Sequence, residues 1–289
     1  MPETPAPDAL ITDAVLELAG RATLPFQAAR ADRSFGTAFW YNDLIDVTPG
    51  REIIRQYLIA SQPRTRYEIG QWTLREELVE AELPADELVM AGFAKMWTAL
   101  GDLGVAVMPT VELHLHAEKK GWSWATQEIT SGLAAQSADI AAIGPAPAGA
   151  EESDESGGAD GAEGSDDSEG AAEASGPVGA ELTAYVLGHE VVEGSGGQVD
   201  RPQRLLTGTV TRSGPDAPLQ WTGPLPLGFE GAPVFAALPM DDDQLKLLCL
   251  GVALPGDPAT VVTFDTLRPA IHALAPPRKR HWWQRPQRP

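Results

Sequence analysis

A single cysteine in 289 residues excludes an intramolecular disulfide, and with it the disulfide-stapled class of small scaffold. Cys249 falls inside the apolar run Leu247–Leu254, where a lone thiol behaves as a small buried hydrophobe. No stretch approaches the ~18 consecutive apolar residues of a helical membrane span. The first residues, Met1 to Asp8, lack a basic cluster leading into a continuous apolar stretch, so no secretory leader is expected and the expected location is the cytoplasm. Basic residues are few, 21 against 41 acidic, for a formal net charge of −20. So acidic a body disfavours nucleic-acid binding. Phosphate-loop and dinucleotide-loop patterns are missing from any strand-to-helix context, and no cofactor is expected.

What is present points to β-structure. The chain is 43% hydrophobic, enough for one large core or two modest ones, and its 29 glycines and 25 prolines favour short strands and turns over long helices. Short apolar runs of four to eight residues bounded by Gly, Pro or Asp recur from residue 35 onward, which suits an all-β barrel or double barrel. Helical patterning is clear at residues 10–19 and weaker at 51–60. Charge is unevenly spread: residues 151–173 hold ten acids and no base. That insert has no aromatic or branched apolar residue with which to offset the entropy of ordering, and disorder is expected there. Pro276 to Pro289 is instead basic and proline-rich, with Trp282 and Trp283 side by side.

One loop carries most of the information. In Gly228-Phe229-Glu230-Gly231-Ala232-Pro233-Val234-Phe235 two glycines permit unusual backbone angles, and a small-Pro-Val-Phe run leads into a strand. Further landmarks stand in order along the chain. They are Phe35-Gly36-Thr37-Ala38-Phe39-Trp40, then Asp43 to Arg51, then Gly101-Asp102-Leu103-Gly104 leading into Val105–Met108. Leu247–Leu254 and Phe264–Ile271 follow the loop.

Taken together these segments resemble trypsin-like serine peptidases, whose nucleophile loop reads Gly-x-Ser-Gly-x-Pro-Val-Phe. The resemblance implies an all-β fold of two six-stranded barrels, with an amphipathic N-terminal helix and a short C-terminal helix. The implied division is an extension over 1–30, a first barrel over 31–116, a second over 117–273 interrupted by the insert at 146–180, and a tail over 274–289. It also implies degenerate triad positions: Glu230 for the serine, Arg51 for the histidine and Asp102 for the acid, with Asp139 in Ala138–Gly144 as the competing acid, although that segment is more similar to a later strand of the family. Arginine stays protonated and cannot serve as a base, and a carboxylate removes the hydroxyl. Gly228, Phe229, Glu230 and Gly231 would be the remnant of the oxyanion loop. Arg51 is expected between Asp102 and Glu230 as an ion network replacing the triad; alternatively Glu230 turns inward onto the loop's own N–H groups.

The function implied is a catalytically inactive, cytoplasmic, bacterial-type protease homologue that binds a protein or peptide partner. The alternative is an active serine-type endopeptidase with an unrecognised nucleophile. Other chemistry is weaker. Glu112, His114 and His116 would share one face of a strand and suit zinc, but alternating polar residues on a half-exposed strand give the same pattern, and no metal site is assigned. Ser195, in Gly194-Ser195-Gly196-Gly197, lacks the loop's flanking pattern and reads as a surface turn. The tail reads as a solvated extension, as an arm for an anionic partner, or as a strap onto the chain's own acidic insert.

Overall fold

The computed structural model describes residues 7–29, 34–48, 51–80, 87–143, 181–194, 199–214, 217–240 and 244–274. The acidic insert, the basic tail and Ser195 lie outside them. Helix α1 (Pro7–Ala19) leads into β1 (Thr23–Ala28), β2 (Phe35–Thr48) and β3 (Arg51–Ser61), then β4 (Ile69–Thr73), β5 (Val79–Glu80) and β6 (Glu87–Ala91). Next come α2 (Phe93–Met96), β7 (Thr98–Ala99), β8 (Val105–Pro109), α3 (Val111–Lys120), β9 (Ser123–Trp124), β10 (Ile129–Thr130) and α4 (Ser137–Ala141). The second half is β11 (Leu182–His189), β12 (Val192–Glu193), β13 (Val199–Asp200), β14 (Gln203–Thr211), β15 (Leu219–Thr222), β16 (Pro233–Pro239), β17 (Leu245–Leu254), β18 (Ala259–Thr263) and α5 (Phe264–His272).

The chain is mostly β. Its second lobe is a closed six-stranded antiparallel barrel in the order β11-β14-β15-β18-β17-β16. The first lobe is an open sheet, β6-β4-β1-β2-β3-β8-β7 with β10 alongside β2, rather than the closed six-stranded barrel expected. Helices fill its inner face instead: Phe93 of α2 and Leu113 of α3 are fully buried among Phe26, Trp40 and Trp72. The first sheet also takes in β1, before residue 31, and β10, beyond residue 116.

Strands at the seam between the lobes are buried on both faces, which is why their sequences are continuously apolar rather than alternating. Along β2, Ala38 and Trp40 enter the first-lobe core while Phe39 and Tyr41 enter the seam. Along β11, Ala184 and Val186 face the barrel interior while Tyr185 and Leu187 face the seam. Helix α5 closes the seam with Phe264, Leu267 and Ile271, all fully buried. Each such side chain contributes roughly 1.5–3 kcal/mol by burial.

Three local expectations are overturned. Residues 51–60 form β3 and not a helix, because their β-branched run pairs along its whole length with β2. Glu112, His114 and His116 lie on α3, where residues two apart point to different faces. The helix wins there because Leu113 and Ala117, one turn apart, bury together and Gly121 ends it at φ +74°. The stretch around Asp139, expected as a strand, is α4.

Candidate functional site at the lobe seam

The Gly228–Ala232 turn stands at the entrance of β16 and is built from local chemistry. The Phe229 N–H donates to the Pro226 carbonyl at 3.1 Å and the Ala232 N–H to the Phe229 carbonyl at 3.0 Å. Gly228 and Gly231 have φ of +98° and +89°, angles that favour glycine. Phe229 is fully buried and anchors the turn in the barrel core against Gly188, where an added methyl would lie 2.4 Å from the ring. The first lobe clamps the turn from the other side. Thr37 of β2 donates its N–H to the Glu230 carbonyl at 3.0 Å and its hydroxyl to the Gly228 carbonyl at 2.7 Å.

The Glu230 carboxylate is taken by Arg64. Its guanidinium donates from Nε to Oε2 at 2.6 Å and from Nη2 to Oε1 at 2.5 Å, a bidentate pair. The side chains are 23% and 13% exposed. The Glu230 bonds hold the Arg64 proton more tightly than in a free arginine, against the opposing effect of burial. Arg64 sits in a 3₁₀ turn, Gln62–Thr65, at the exit of β3. The Thr65 hydroxyl holds that turn by donating to the Gln62 carbonyl at 2.8 Å, and the Gln62 N–H donates to the Gly104 carbonyl at 2.8 Å.

An ion pair on Glu230 was therefore expected with the wrong arginine. Arg51 opens β3, while Ser61, at the other end of this 11-residue strand, packs its backbone against Gly231. At ~3.3 Å per residue that separates Arg51 from the turn by roughly 30 Å along the strand. The signal that would have found the correct end is Leu58-Ile59-Ala60-Ser61-Gln62, which resembles the Leu-Thr-Ala-Ala-His strand exit of trypsin-like peptidases better than the segment ending at Arg51, and which would put Gln62 where that pattern has its histidine. Asp102 lies exposed in the 101–104 turn, two residues before the Gly104 that bonds Gln62. Among the described residues it makes no ion pair and no side-chain hydrogen bond, so no three-membered network forms. Asp139 is elsewhere: it caps α4 by accepting from the Gln136 N–H at 2.8 Å and pairs with Lys246 at 2.7 Å. Burial would raise its pKa, but the Lys246 ammonium and the Gln136 N–H outweigh that and hold the carboxyl below its ordinary range. Glu230 does not turn onto the loop's own amides, since the Gly231 N–H is taken by the Ala253 carbonyl at 2.9 Å.

Beneath the turn lies a buried cationic layer that has no sequence signature. His189 is fully buried, and its Nδ1 lies 3.1 Å from the Arg201 carbonyl, which can only accept. The proton is therefore on Nδ1, and Nε2 accepts from the Thr23 hydroxyl at 3.0 Å. Arg201, 3% exposed, donates to the carbonyls of Phe26 and Gly36 at 3.3 and 3.1 Å and stands 5.1 Å from the centroid of the Phe35 ring. Burial lowers its pKa to about 10. Burial, with the nearby Arg75 charge, lowers His189 to about 3 and keeps it neutral.

A cavity of about 540 Å³ opens beside the turn, lined by Trp221 to Leu227, Glu230 and Pro255 to Ala259. Its charged lining groups are Glu230 and Asp257, both acidic.

The Arg64–Glu230 pair is expected to couple the lobes. In a double-mutant cycle of Arg64→Met and Glu230→Gln followed by urea unfolding, a coupling energy of about 1–3 kcal/mol is expected, between the ranges for exposed and buried pairs. A coupling indistinguishable from zero would reduce the pair to a surface contact.

Two β lobes, one a closed barrel and one an open sheet, meet over a Gly-x-x-Gly-x-Pro turn. No family model matches the chain, and no curated protein matches it in sequence. Among solved structures it is similar to one titled "Crystal structure of Deg5", at 10% identity, over 92% of this chain and 95% of that one, with a TM-score of 0.44. So slight a likeness bears on no activity.

Proposed function

We propose that this chain is a non-catalytic relative of trypsin-like peptidases whose cavity beside the Gly228–Ala232 turn holds a protein or peptide segment without cutting it. One observation supports the reading above the others: the side chain at the nucleophile position is a carboxylate locked in a bidentate pair with Arg64. At the strand exit where the family carries its base, Gln62 offers an amide, which does not take a proton near neutral pH. His189, though under the same turn, is buried with both ring nitrogens engaged. Removing nucleophile and base together leaves only binding and oxyanion contributions, a residual of roughly 10³–10⁴ over water in a serine protease. Against so slow an uncatalysed reaction that is no useful turnover. The acidic lining of the cavity suits a neutral or basic side chain of the bound segment better than an acidic one. A cytoplasmic setting, read from the sequence, belongs to the same proposal.

The test compares the unmodified chain with Glu230→Ser and with Glu230→Ser plus Gln62→His, on casein and on a fluorogenic peptide library. The unmodified chain is expected to be silent and unreactive to a fluorophosphonate, yet to retain peptides on an array. Binding to that array should fall on Asp257→Lys, which places a base in the cavity lining. Cleavage by the unmodified chain, with a fluorophosphonate adduct on one residue, would overturn the reading and reveal the nucleophile.

A further inference from the structure

The β2–β3 hairpin extends beyond the sheet that carries it. Pairing of β2 with β1 and β10 ends at Asn42, pairing of β3 with β8 begins at Tyr57, Asp43 is buried and Gln56 bonds Thr110, so residues 44–47 and 52–55 form a two-stranded arm. Such a ribbon is marginal by itself in water. Its composition makes exposure more costly: Leu44, Val47, Ile53 and Ile54 are 38%, 62%, 38% and 48% exposed. Leu44 pairs with Ile54 and Val47 with Glu52, across a register shift at Ile45, and these four residues share one face. Asp46 and Ile53, paired, lie on the other. Of the two exposed acids, Glu52 lies on this apolar face and Asp46 on the opposite one, and Arg55 follows Ile54 on β3.

The last described turn of the chain ends at the root of the same arm. His272 of α5 lies 2.9 Å from the Asp43 carboxylate, one residue before Leu44. From Leu274 the chain continues as Ala275 to Pro289, with two adjacent indoles, five Lys or Arg residues and no acid. Trp282 is eight residues past Leu274, a reach of up to ~27 Å in extended chain, enough to cross a strand edge and run along the arm on either face.

We propose that residues 275–289 dock on this arm of their own chain. Trp282 and Trp283 cover Leu44, Val47 and Ile54, and a basic side chain meets Glu52 on the same face. Proximity favours this occupant, since a tethered segment binds at a millimolar-scale effective concentration. Chemistry favours it too: the arm offers apolar area edged by acid, and the segment offers indoles edged by base. The contact is independent of the cavity reading and would stand if that reading failed.

The test uses the full chain with benzoylphenylalanine in place of Trp283, and separately in place of His281, irradiated and mapped by mass spectrometry. Adducts to residues 44–55 of the same chain, at a yield independent of protein concentration, are expected. With Glu52→Lys, at an exposed position, that yield should fall. Trypsin cleavage after Arg280 should quicken about tenfold or more, the equivalent of ~1.4 kcal/mol of docking. Adducts to the acidic stretch 151–173, adducts that form only between chains as concentration rises, or cleavage unchanged by the charge reversal would each overturn the proposal.

Discussion

Lowering the pH from 7 to 4 is expected to remove about 3 kcal/mol of stability through His189 alone, at ~1.4 kcal/mol per pH unit below the free-histidine pKa. The cause is burial first, then the positive charges of Arg75 and Arg201; the bonds to the Arg201 carbonyl and Thr23 oppose them but do not prevail, and the folded pKa is lowered from 6.5 to about 3. The sign follows from proton counting. Between those two values the unfolded chain binds a proton that the folded chain refuses, so acid favours unfolding. The contribution is complete above about pH 6.5 and is lost progressively down to about pH 3. A charged imidazole here would also break a directed chain. Gln203 donates to the Thr23 hydroxyl at 2.6 Å, and that hydroxyl donates on to Nε2 of His189. Protonated Nε2 can only donate, which would force Thr23 to turn away. Urea unfolding between pH 4 and 7 tests this against His189→Gln, which should be less stable at pH 7 yet lack this part of the slope. Carboxylates such as Asp139, whose lowered pKa gives the same sign, remain in both chains. Parallel pH profiles would show that His189 takes up its proton without unfolding the protein.

Gly231→Ala is expected to cost about 3 kcal/mol or more, among the largest effects of any one-carbon change in this chain. An added methyl would lie 2.5 Å from the Thr37 carbonyl oxygen, 2.6 Å from the Ser61 nitrogen and 3.2 Å from the Ala60 α-carbon. All three are backbone atoms of the first lobe, so no side chain can rotate away, and the lobes themselves would have to separate. The angle adds to this, since φ is +89°. Gly121→Ala separates the two contributions. That residue has φ +74° and nothing within 4 Å of the added methyl, so only backbone strain of about 1 kcal/mol is expected. Thermal or urea unfolding of both variants measures the difference. Equal losses would mean that the turn and the first lobe are not in tight contact.

Much of the site's local form was legible in the residues. The Gly228–Val234 turn and the strand after it follow from two glycines, a proline and an apolar run, all acting within a few positions. Helices α1 and α5 and the strand around Val105–Met108 were readable on the same grounds. The register of β3 was not. Leu44–Val47 and Ile53–Ile54 look like core strand, but they stand on the exposed arm, and the end of β3 that reaches the turn is Ser61-Gln62. Hydropathy reports that a residue is apolar and not whether a neighbouring sheet covers it, so a strand longer than its lobe misleads any count from one end. Helix α3 was hidden for a similar reason. The alternation of Glu112, His114 and His116 imitates a strand, and only the burial of Leu113 and Ala117, Leu113 in one cluster with Trp40 and Trp124, decides for the helix.

By itself the sequence determined the turn chemistry, the β-rich class, the uneven spread of charge and an acid, Glu230, at the tip of the glycine turn. These depend on backbone angles and on patterns a few residues long. The tertiary structure decided that the partner of Glu230 is Arg64, that the first lobe stays open with helices across its inner face, and that Arg201 and His189 lie buried beneath the turn. Those choices join residues as far apart as Arg201 and Phe26, 175 positions. They are settled by which surfaces exclude water together, and no local pattern encodes that.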